Sequence, residues 1–171
     1  MSNNEVEFER DISSAIEHAK SVGRFDLSDY LSLRSSNDAI RESARKWLFD
    51  SVLEIVFAFN NHGASIKIDQ KAKHRIRYSG GWLSGELLEL RQGLRCLTIE
   101  AGWTQSLEDG FMRGGALAFA RLNHFGHSKQ NEELVLLTFE GNHQWFSIED
   151  EKHRRSFEFV SLKPHFQVLM G

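Results

Sequence analysis

The sequence holds one cysteine, Cys96, one proline, Pro164, and no apolar run longer than a few residues. A lone thiol cannot close an internal disulfide, and it fits a reducing compartment. Runs such as 55–59 fall far short of the roughly 20 apolar residues that a membrane-spanning helix needs. The first ten residues carry Glu5, Glu7 and Glu9 and no apolar stretch, so they do not form a secretory signal. A cytoplasmic protein without a membrane segment is expected. Neither sign of charge is in large excess. The net charge of -3 argues against whole-surface attraction to nucleic acid or anionic lipid and leaves only local patches to consider.

Linkers are missing too. No proline-rich, serine-rich or charged run divides the chain, and no internal repeat is visible. A single domain over 1–171 is expected, helical over 1–62 and β-structured over 63–171. That length supports a core without disulfides or metals. Abundance lies in the aromatics: 13 Phe and 4 Trp place bulky rings at the centre of any core.

Phe8, Ile12, Ala15, Ile16, Ala19 and Val22 recur at three- and four-residue steps, which predicts a helix over 5–22 stopped by Gly23. Asp26 can cap a short helix carrying Leu27, Tyr30 and Leu31. The cluster Ser35, Ser36, Asn37 and Asp38 is expected to open a separate helix running to about residue 60. Ile40, Ala44, Trp47, Leu48, Val52, Ile55 and Phe59 form its apolar stripe, and Lys46, Asp50, Glu54 and Ala58 its polar strip.

After Asn60, Asn61, His62 and Gly63 the period changes from helical to alternating. Strands are predicted over 66–78, 83–91, 94–101, 116–125, 134–139, 144–149, 157–162 and 166–170. Turns fall at 79–81, at Gln92 and Gly93, and at Gly141 and Asn142, with Pro164 at a turn or sheet edge. The fold class is α+β: N-terminal helices packed on a curved, mostly antiparallel sheet or partly closed barrel. Trp47, Leu48, Val52, Ile55, Phe59, Leu97, Ile99, Leu117, Phe119, Val135, Leu137 and Phe146 are its expected core.

No recognisable catalytic set emerges, and no cofactor is expected. The favoured function is non-enzymatic: an intracellular binding or accessory protein acting on a protein partner or on further copies of itself. Trp82, Trp103 and Trp145 lie near turns, and Trp82 and Trp103 are the leading candidate contact residues, because tryptophan is enriched at energetic centres of interfaces.

A nucleic-acid interface is the first alternative. Lys67, Lys71, Lys73, Arg75 and Arg77 share one parity, and on an extended strand such cations stand about 6.8 Å apart. That spacing can follow phosphates, with Trp82 offering a stacking surface. A solvated face or a lysine-studded sheet edge explains the same pattern more simply. Lys152, His153, Arg154 and Arg155 form a second basic cluster, offset by Glu149, Asp150 and Glu151.

A metal- or histidine-dependent hydrolase is the second alternative. His124, His127 and His143 with Asp109 supply zinc-ligand chemistry or an acid-base pair. Three-residue spacing orients two rings together on a helix, whereas here it falls at a strand end. Asp50 and Glu54 share a helix face, but beside Lys46 they read as a solvated strip with an ion pair. Arg113, Gly114 and Gly115 match no phosphate-binding loop, and Cys96 reads as a small core residue.

Overall fold

The computed structural model describes residues 3–105, 112–149 and 153–171. The chain divides into two compact units, Met1–Glu42 and Ser43–Gly171, whose boundary lies inside a helix.

In the first unit, α1 spans Asn3–Ser21. Ile12, Ile16 and Ala19 turn inward at helical spacing while their neighbours are exposed. Gly23, at φ 74°, stops the helix: the amide of Arg24 reaches back to the Ala19 carbonyl at 2.9 Å. Then α2 runs unbroken over Phe25–Asn61. The expected break at 35–38 does not occur. Capping residues only favour a helix start, and nothing between 25 and 61 is a glycine or proline that would force one. Asp38 instead pairs with Arg41, one turn on, at 2.8 Å.

Among the described residues the second unit is built on one seven-stranded sheet: β1 (Lys67–Tyr78), β2 (Gly81–Gln92), β3 (Arg95–Trp103), β4 (Ala118–His124), β5 (Glu132–Phe139), β6 (Asn142–Ile148) and β7 (Arg154–Ser156). Every pairing is antiparallel and the strands lie in chain order, so the sheet is an open meander with β1 and β7 at its edges. It does not close into a barrel. The α+β class holds.

Register decides which side chains share a face. Leu88, Leu90, Leu97, Ile99, Ala120, Leu122, Leu134, Leu136 and Trp145 stand on one side and are buried. The end of α2 lies over them with Leu48, Val52 and Val56 turned inward. The Trp145 indole donates to the Ala44 carbonyl at 3.1 Å, and Arg45 pairs with Glu86 at 2.6 Å. Trp47 belongs to the outer side of α2 and is exposed, contrary to its expected core position.

The chain ends differently from the expected pair of strands. Phe159–Leu162 is a 3-10 turn and α3 spans Lys163–Met170. Pro164 sits in the first helical turn, where its missing N–H leaves no bond unmade. Phe166 stacks on Phe59 of α2, with centroids 5.9 Å apart, so α3 joins α2 over the same face.

On the opposite face, Ile76, Leu83, Ala116, Phe119 and Val135 form a smaller apolar cluster. Beyond it the face turns polar: Arg121 and His74 both approach Glu100, at 3.2 and 3.7 Å. Gly85 and Gly102 mark the transition. They are paired across β2 and β3, and a Cβ on Gly85 would lie 2.1 Å from the Ala101 carbonyl oxygen. Only glycine permits backbones to approach so closely.

Candidate interaction sites

The basic strand is real, but its cations do not share a face. Lys71 pairs with Leu87, whereas His74 pairs with Gly85, so Ala72 and Lys73 together oppose Glu86. This is a β-bulge, and it reverses the parity that follows. Before it, Lys67 and Lys71 stand on the face that carries Leu83 and Phe119; after it, Arg75 and Arg77 stand on the helix-covered side. Lys73 lies in the bulge. The shared-parity track read from the sequence is therefore split in two.

What the bulge brings together is a tight group at the β1–β2 hairpin tip. Arg77 is the direct cross-strand partner of Trp82. The Arg75 guanidinium lies 5.3 Å from the Trp82 ring centroid, within cation–π range. Trp82 remains 46% exposed. Trp103 differs: at 4% exposure it is a core residue and presents no contact surface. Trp145 is likewise buried, its N–H already bonded.

The predicted metal ligands do not converge. His124 lies at the end of β4 beside the start of β5, while His143 pairs with Thr138 near the other end of β5. His127 is exposed in the turn after β4, and Asp109 lies outside the described residues. Among the described residues no three potential ligands cluster as a metal site requires.

His124 finds a partner the sequence did not announce. Its Nε2 lies 2.9 Å from Nδ1 of His165 on α3, and His165 Nε2 lies 2.7 Å from Glu132 at the start of β5. His165 donates from Nε2 to the Glu132 carboxylate. Arg155 completes the row with a 3.2 Å bridge to Glu132. Burial, with smaller contributions from His165 and His127, pushes His124 down to about 4. Burial opposes ionisation of Glu132, but hydrogen bonds from His165 and Ser147 and the charges of His165 and Arg155 hold its carboxyl below the usual range. The row ties α3 to β4, β5 and β7.

Asp50 and Glu54 are on the exposed side of α2, with Lys46 paired to Asp50 as expected. Burial raises the Cys96 thiol, which leaves less of the reactive thiolate. Gly114 and Gly115 take positive φ in a 3-10 turn, and Arg155 of the second basic cluster bridges to Glu132 and Glu149.

No helix of the described residues is long and apolar enough to cross a membrane. No protein family, curated protein or solved structure matches the chain.

Proposed function

We propose that this is a non-enzymatic intracellular binding or accessory protein acting through protein–protein contacts, with the β1–β2 hairpin tip as its contact surface. One observation carries the reading: Trp82 is exposed, yet its ring is held by Arg75 on one strand and registered against Arg77. A large rigid aromatic flanked by arginines has the composition of an interface hot spot. The lone thiol of Cys96 supports a reducing compartment. The test is Trp82→Ala used beside the native chain as bait. The variant loses a protein partner or self-association that the native chain keeps, at unchanged melting temperature. Equal capture by both ends the proposal.

Arg75, Arg77 and Trp82 on one face also favour a second reading, the binding of single-stranded nucleic acid by stacking and phosphate contact. It requires an oligonucleotide affinity that falls steeply with salt and weakens on Arg75→Ala and Arg77→Ala. A salt-independent affinity removes it.

A further inference from the structure

The outer side of α2 carries a second surface, independent of Trp82. Successive residues of a helix are 100° apart, so Trp47 borders one side of its exposed face, Leu53 and Phe57 the other, with Asp50 and Glu54 between. Trp47 is 39% and Phe57 56% exposed, although both stand on a helix whose inner side is fully buried. Asp50, Leu53, Glu54, Phe57, Ala58 and Asn61 line a shallow groove there. Large apolar side chains gathered on one exposed helix face are the usual mark of a contact surface.

Charge selects the occupant. Asp50 and Glu54 stand within the apolar border, and Lys46 offsets only one of them. A second copy of α2 fits poorly. Paired antiparallel with Trp47 against Phe57, it would set Asp50 of each copy opposite Glu54 of the other. We infer that this face docks a basic amphipathic helix of a partner protein, whose apolar residues meet Leu53, Phe57 and Trp47 and whose lysines or arginines meet Asp50 and Glu54. Recognition of that kind lays an apolar stripe into a groove and uses flanking charge for orientation.

The test uses the full chain and two synthetic helical peptides with one leucine stripe, one bearing lysines on its flanks and the other glutamates. The lysine peptide should bind saturably and shift the backbone amide signals of residues 47–61. Its affinity should fall about tenfold on Phe57→Ala and again on Glu54→Lys. It should be unchanged by Trp82→Ala, which separates this surface from the hairpin tip. Should Phe57→Ala fail to fold, Glu54→Lys alone carries the comparison. Absence of binding, equal binding of the glutamate peptide, or shifts confined to other elements would overturn the inference. So would self-association abolished by Phe57→Ala, which assigns the face to a second copy.

Discussion

The imidazoles of His124 and His165 lie parallel, their planes 2° apart, with Nε2 of the first 2.9 Å from Nδ1 of the second. Both rings are buried, and the chain of bonds continues from His165 to Glu132.

This arrangement sets a pH dependence. The folded pKa of His124 is depressed to about 4, below the unfolded value of about 6.5. Between those values the unfolded chain binds the extra proton, so stability falls as pH drops through that window. Glu132, also depressed, contributes stability above its unfolded value of about 4.3 and loses it at lower pH, in the same direction. Denaturant midpoints measured from pH 7.5 to 4 should therefore decline. His124→Asn should lower the midpoint at pH 7.5 and flatten the decline between 6.5 and 4. An unaltered slope would show that His124 does not titrate in this way.

Trp145 gives a prediction about the core. Its indole is buried and its N–H bonds to Ala44 of α2. Trp145→Phe, which removes the donor and part of the ring, should cost about 1–2 kcal/mol. Trp145→Ala should cost about 3–5 kcal/mol in chemical denaturation. Similar losses from both would mean that the hydrogen bond outweighs the packing.

The close approach at Gly85 and Gly102 is the third. Gly85→Ala places a methyl against the Ala101 carbonyl and should destabilise by at least about 2 kcal/mol. Gly93, whose added Cβ would meet nothing within 4 Å, has only its φ of 60° to strain, and Gly93→Ala should cost about 1 kcal/mol. Equal urea midpoints for the two variants would contradict the steric explanation.

A fourth concerns the hairpin tip. Arg75→Ala removes the cation over Trp82 and should change stability by no more than about 1 kcal/mol, because the site is exposed. A much larger drop in melting temperature would make the pair structural and weaken its reading as a contact surface.

Much of the sheet was legible because register and turn chemistry are local. Gln92 and Gly93 with flanking alternation place the β2–β3 hairpin, and Leu97 and Ile99 are core as their parity implies. The bulge at Ala72 and Lys73 was not legible, since it exists only against Glu86 on the neighbouring strand. Without it, five cations look like one track. His165 was hidden differently: Pro164 resembles a turn or edge signal, yet it opens the helix that delivers His165 to His124. Ser35, Ser36, Asn37 and Asp38 resemble a helix start yet lie inside α2. Caps favour a boundary but do not impose one when the whole segment can stay helical. Of the candidate site, Trp82, Arg75 and Arg77 were named, but their grouping depended on the reversal of parity after the bulge.

The most direct measurement of the proposed function is the native mass of the species this protein forms in cells, isolated at physiological salt, for the unaltered chain and for Trp82→Ala. A complex carrying added protein mass, whether another protein or a second copy, that Trp82→Ala lacks is the expected result. Nucleic-acid mass in its place, or identical species from both chains, would contradict a protein contact at Trp82.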